Sequence, residues 1–89
     1  MTRVAVISII VEDSSYIEEL NKLLFSYRDY IIGRMGIPYK KGKVNIICVA
    51  IDASEDVINA LTGKIGRLKG ISAKTNYSNV YVEGDSEDE

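Results

Sequence analysis

Histidine and tryptophan are absent, and the 89 residues hold one cysteine and one proline. Without histidine the commonest general acid–base at neutral pH is missing, and Ser–His–Asp and Cys–His arrangements go with it. A lone thiol, Cys48, excludes an internal disulfide. With no CxxC and no imidazole it also excludes the usual zinc and nickel sites, so neither metal nor other cofactor is expected. Its position mid-strand among aliphatics reads as an inert core thiol. The longest uncharged apolar run, Val4 to Val11, is too short to span a bilayer. No basic segment with a small-residue cleavage site follows Met1, so a cytoplasmic protein without membrane contact is expected.

What is present is ordinary for a globular chain: 46% hydrophobic and 27% charged residues, in a length that suits one domain. A chain this short buries only roughly 60–65% of its unfolded surface, so its stability margin is thin. The net charge of -2 is unevenly spread, because 5 of the 13 acidic residues fall in the last seven positions. Residues 1–82 therefore form a single mildly basic domain, and 83–89 read as an acidic, disordered tail.

Residues 3–11 are β-branched almost throughout and predict a strand buried on both faces. Ser15-Tyr16-Ile17-Glu18 has the form of a capping box, and Ile17, Leu20, Leu24 and Tyr27 follow as one apolar stripe, predicting a helix over 15–28. Residues 30–37 make a weaker strand, interrupted by Gly33 and Gly36 and closed by Pro38, which belongs at a sheet edge. Tyr39 to Gly42 read as a hairpin loop, and 43–52 as a second strongly apolar strand. Ser54 caps a second helix with the stripe Ile58, Leu61, Ile65, Leu68, and Gly70 occupies the place of a C-terminal glycine. Residues 71–76 alternate as a half-exposed strand. Val80-Tyr81-Val82 read as a short extra strand after a turn at Ser78-Asn79.

The order β-α-β-β-α-β, with the two most apolar strands first and third, predicts an α+β ferredoxin-like sandwich: a four-stranded antiparallel sheet with two helices on one face. The sheet face away from the helices should then be polar, yet both parities of the central strands are apolar. Such a patch marks an interface, so a homodimer or higher homo-oligomer is expected. The alternative is that residues 77–82 fold over that face. On the second helix, Asn59, Gly63 and Gly66 gather opposite Leu61, Ile65 and Leu68. Either something approaches that bare backbone, or the helix breaks near Thr62-Gly63.

Chemistry is sparse. The carboxylates lie in caps, loops and the tail, which leaves Glu12-Asp13 as a capping pair or an oxygen-ligand site. Gly63-Lys64-Ile65-Gly66 matches no phosphate loop. Lys40, Lys41 and Lys43 form a basic run open to a protein or nucleic acid, but the adjoining strand lacks the stacking aromatics of RNA-binding sheets of this architecture.

Gly33-Arg34-Met35-Gly36-Ile37-Pro38, then Asn45-Ile46-Ile47, then the stretch from Ala60-Leu61-Thr62-Gly63-Lys64-Ile65-Gly66 to Thr75, resemble the iron-only hydrogenase system regulators, over about residues 3–77. The resemblance implies an ACT-like fold, similar to the regulatory domain of nickel-responsive repressors, assembled as an oligomer. It implies a non-enzymatic regulatory module that takes a small-molecule effector or docks a protein partner. Metal sensing does not carry over, because the histidines are missing, and neither does direct DNA binding, because no DNA-reading segment precedes the first strand. ACT-type ligands sit near the first strand–helix loop and a subunit seam, which here means Glu12, Asp13, Ser14 and Ser15 and the vicinity of Gly63 and Gly66. Arg34, Asn45, Thr62 and Lys64 match the family pattern without an assigned role. Arg34 and Asn45 either pin the hairpin or orient an anionic ligand.

Overall fold

The computed structural model describes residues 1–83, and the acidic tail expected over 83–89 lies almost wholly outside them. Strand β1 is Thr2–Val11, helix α1 Ile17–Ser26, β2 Ile31–Tyr39, β3 Val44–Ala53, helix α2 Glu55–Gly66 and β4 Ile71–Val82. The strands pair antiparallel in the order β2-β3-β1-β4, so the two most apolar ones lie in the centre. This is the ferredoxin-like α+β sandwich.

A period of two divides the central strands cleanly. Ala5, Ile7, Ile9 and Val11 of β1 and Ile47, Val49, Ile51 and Ala53 of β3 are buried. Leu20 and Leu24 of α1 and Ile58, Leu61 and Ile65 of α2 close over them. The intervening residues form the opposite face, which no helix among the described residues covers. In register across it run Ile37, Ile46, Ile10 and Ser72, then Met35, Cys48, Ser8 and Lys74, then Gly33, Ala50, Val6 and Asn76. That face is apolar over β2, β3 and β1 and turns polar at β4. Cys48 belongs to it and is half-buried, so the expectation of a core thiol is corrected: its even position in β3 turns it away from the helices.

Three local expectations are also corrected, and the alternative left open for the second helix is decided. The Ser15–Glu18 capping box does not form. Asp13 caps the entry instead, its carboxylate accepting from the Ser15 amide at 3.0 Å and the Ser15 hydroxyl at 2.7 Å. A 3₁₀ turn over Ser14–Tyr16 follows, and α1 begins only at Ile17. Helix α2 is capped by the Ser54 hydroxyl, which accepts from the Val57 amide at 3.2 Å, and it runs unbroken through Gly63 to Gly66. It ends there, so Gly70, at φ +78°, serves the turn into β4 and not the helix terminus. Finally, 71–82 is one strand. Between the pairs Ala5–Tyr77 and Arg3–Tyr81 it bulges, and its end stays in the sheet instead of crossing the uncovered face.

Arg3 explains why the strand continues. Its Nε donates to the Ser78 carbonyl in the bulge at 2.8 Å, and its Nη1 meets the Glu55 carboxylate at 2.6 Å. The guanidinium also lies 4.7 Å from the Tyr77 ring centroid and 4.9 Å from that of Tyr81. Tyr77 in turn donates to Asn59 Oδ1 at 2.6 Å, fastening α2 to β4. Burial, and next the Glu55 carboxylate, push the Tyr77 phenol upward, with Arg3 opposing, so the phenol keeps the proton it donates. Arg3→Met is expected to destabilise the domain by about 1–3 kcal/mol, from a lost charge-assisted bond and two cation–π contacts. Urea unfolding checks it, and unchanged stability would show that the cluster is solvent-screened ornament.

Candidate functional site

Three loops converge at one end of the sheet. Val11 ends β1 opposite Asn45 near the start of β3, and Asn45 also pairs with Pro38 near the end of β2. The β1–α1 loop therefore faces the β2–β3 hairpin across a cleft of about 600 Å³. Glu12, Asp13 and Ser14 line one wall, and Tyr39, Lys40, Lys43 and Asn45 the other. The volume falls within the range of small-molecule sites. Among the described residues, the side chains of Glu12, Ser14, Lys40, Lys43 and Asn45 make no hydrogen bond or ion pair within the chain. Opposite charges thus stand on the two walls with their bonding capacity unspent.

The acidic wall is held from below. The Glu12 and Asp13 amides both donate to the Gly70 carbonyl, at 2.8 and 3.2 Å. Asp13 is in addition tied to Ser15, and these bonds keep its carboxyl below the ordinary 3.8, first through the Ser15 hydroxyl and next its amide, with Lys69 adding a smaller pull. The basic wall turns tightly, the Lys43 amide donating to the Lys40 carbonyl at 3.2 Å. Lys43 itself sits at φ 57°, a left-handed conformation unusual for a side chain of its size.

Because Asp13 titrates lower in the folded than in the unfolded chain, its cap supports folding fully above the unfolded value and is lost as pH falls through the folded one. The stability gap between the wild type and Asp13→Ala should therefore be constant from pH 7 to about 5 and narrow below pH 4. Thermal unfolding of both proteins at pH 7 and pH 3 checks this. A gap that stays the same at both would mean that the carboxylate form contributes nothing.

The other residues singled out in the sequence fall elsewhere. Ser15 is committed to Asp13. Arg34 lies on the helix side of β2, its Nη2 3.5 Å from Asn21 Oδ1, and shares with Asn45 a separate hollow of about 300 Å³. Thr62 is half-buried between α2 and β4, its hydroxyl donating to the Ile58 carbonyl at 2.9 Å or sharing a bond with the Thr75 hydroxyl at 2.7 Å. Lys64 donates to the Tyr27 hydroxyl at 3.0 Å in the groove between the helices. Gly63 and Gly66 are exposed on α2 with open space where a Cβ would stand, save the Arg67 guanidinium 3.9 Å from that of Gly63. The structure thus unites Glu12, Asp13, Ser14 and Asn45 and separates them from Thr62, Gly63, Lys64 and Gly66. Sequence reasoning missed Gly70 as the clamp beneath the acidic wall. It also read the lysines as a loop of one charge, without the acidic wall they face. Among the described residues no three His, Cys, Asp or Glu side chains come together as a metal-holding group, and no helix is long and apolar enough to cross a membrane.

A two-layer βαββαβ sheet, with its open cleft where the first strand–helix loop meets the hairpin, defines a small ACT-like domain. The chain belongs to the family described as "TM1266-like: Iron-only hydrogenase system regulator, putative", whose model matches residues 3–75. It is similar to the uncharacterized protein TM1266 from Thermotoga maritima, with 28% identity, a TM-score of 0.82, and 86% of this chain aligned to 98% of that one. Two more distant likenesses show the fold alone. One is a formyltetrahydrofolate deformylase from Pseudomonas putida KT2440, at 12% identity and TM-score 0.61, with 86% of this chain on 29% of that one. The other is an unknown protein from Galdieria sulphuraria, at 16% identity and TM-score 0.60, with 96% of this chain on 49% of that one. No protein of curated function matches the sequence.

Proposed function

We propose that the protein is a non-enzymatic regulatory module of an iron-only hydrogenase system, acting as a homodimer whose small-molecule effector occupies the cleft between Glu12–Ser14 and Lys40–Asn45. The observation that carries the reading is the cleft itself, where polar side chains of both signs stand without partners, the acidic ones on a loop clamped to Gly70 and the basic ones on the facing hairpin. Walls whose backbone is already fixed in this way lower the ordering cost of receiving a ligand. The apolar half of the uncovered sheet face supports the dimer. Val6, Ile10, Met35, Ile37 and Tyr39 are all exposed there, a patch that a second copy would bury about a two-fold axis.

Native mass spectrometry beside the denatured mass tests both parts together. A dimer carrying a small-molecule mass, lost on Lys40→Glu with Lys43→Glu, is the expected result. A bare dimer with no ligand captured from cell extract would sink the effector reading and leave the lysine hairpin as a protein- or nucleic-acid-binding loop. A bare monomer would remove the dimer as well.

A further inference from the structure

The edge of the sheet at β2 carries a second, different surface. Among the described residues strand β2 bonds only to β3, so half of its amides and carbonyls face outward. Edges are commonly blocked by proline or by a bulge, and here both devices stand at the ends. Pro38 lies at one end and the register shift at Ile32 at the other, leaving Gly33 to Ile37 open between them. Beside this stretch, on the α1 side, are two hollows of about 300 and 310 Å³. Arg34 and Asn21 line both, so the guanidinium stands where the two meet. Ile17, Ile47 and Pro38 floor the first hollow, and Leu24, Phe25 and Ile31 the second. Arg28, stacked 4.1 Å over the Phe25 ring, adds a second positive charge, and among the described residues no acidic one lines either hollow.

We propose that this edge is a docking site for an extended segment of a partner protein. The segment adds a strand to β2, sets a carboxylate side chain against Arg34, and sets apolar side chains two positions before and after it in the flanking hollows. Residues two apart on a strand are about 6.6 Å apart on one face, which suits a central charge with a hollow on either side. The occupant is a different protein because of charge. A second copy pairing β2 with β2 would offer no carboxylate, since Ile31–Tyr39 contains none, and would bring arginine toward arginine. Gly33 and Gly36 have nothing within 4 Å of where a Cβ would lie, which leaves the approach clear. The site stands independently of the cleft and of the proposed dimer.

The test uses a fluorescein-labelled seven-residue peptide with glutamate at its centre, valine two positions either side and threonine between, beside its central-glutamine counterpart. With the full-length protein, fluorescence anisotropy should show saturable binding of the glutamate peptide, weaker by roughly tenfold for the glutamine one. Arg34→Gln should bind both equally weakly, and Gly36→Val should weaken both by filling the first hollow while leaving the fold intact. The proposal is overturned if the glutamate peptide does not bind, if the two peptides bind alike to the wild type, or if Arg34→Gln still tells them apart. It is also overturned if Arg34→Gln changes the subunit count in native mass spectrometry, since a second copy would then hold the edge.

Discussion

Gly70→Ala is expected to be among the most damaging single-methyl changes in the domain. At φ +78° an alanine pays about 1–2 kcal/mol for the left-handed backbone. The added Cβ would also stand 3.3 Å from both the amide nitrogen and the Cα of Asp13 and collide with its Cβ, so the acidic wall of the cleft must move. The Glu12 and Asp13 amides then lose their bonds to the Gly70 carbonyl, a further 1–2 kcal/mol or so. A total of about 2–4 kcal/mol corresponds to a fall in melting temperature of roughly 10–20 °C for a domain of this size. Gly66→Ala is the control. That glycine is the last residue of α2, with open space around it and no left-handed backbone, and alanine there should stabilise by roughly 0.4–1 kcal/mol through the unfolded chain. Differential scanning calorimetry of both variants decides the matter. A mild Gly70→Ala would mean that the loop relaxes freely. A destabilising Gly66→Ala would mean that another surface packs against α2.

The second large effect concerns assembly. Val6→Lys with Met35→Lys is expected to convert a dimer into a folded monomer. These side chains line a shallow hollow over Cys48 and Ala50 on the uncovered face, with Met35 57% exposed and Val6 39%. In an isolated chain, lysines there would reach water and change stability by no more than about 0.5 kcal/mol. Buried against a second copy, two ammonium groups per chain would lose hydration without gaining a partner, several kcal/mol in all. Sedimentation equilibrium should therefore report one subunit for the variant and two for the wild type, with matching circular dichroism spectra. A variant that remains dimeric would place the interface elsewhere, and a monomeric wild type would leave the face without an occupant.

Much of this architecture is written in short-range patterns. Val4 to Val11 and Val44 to Asp52 are so strongly β-branched that no other element suits them, and their richness assigns them to the sheet centre. The stripes Leu20–Leu24 and Ile58–Leu61–Ile65 are buried in the structure because a 3.6-residue period leaves those positions no other direction once the helices lie on the sheet. The misreadings share one cause. Asp13 and Ser15 both qualify as caps by composition, and the choice between them depends on Gly70, 57 positions away, holding the loop. Ser78-Asn79 reads as a turn by local propensity. Arg3, 75 positions away, turns it into a bulge by bonding the Ser78 carbonyl. Long-range contacts overrode local signals in both places.

The candidate site divides along the same line. Glu12 to Ser14 were marked by the resemblance and Lys40 to Lys43 by their charge, but no spacing in the sequence says that the two groups face each other. By itself the sequence determined the element order, the fold, the core stripes of the two helices and the family, because each rests on patterns that can be read along the chain without knowing what packs on what. Only the tertiary structure decided which parity of β1 and β3 meets the helices, that Cys48 lies outside the core, and that Asn45 rather than Thr62 or Lys64 stands with Glu12. The first two outcomes depend on the register of strands far apart in the chain, and a shift of one residue in that register would have reversed both; the third follows from β3 pairing beside the end of β1 while Thr62 and Lys64 sit on α2.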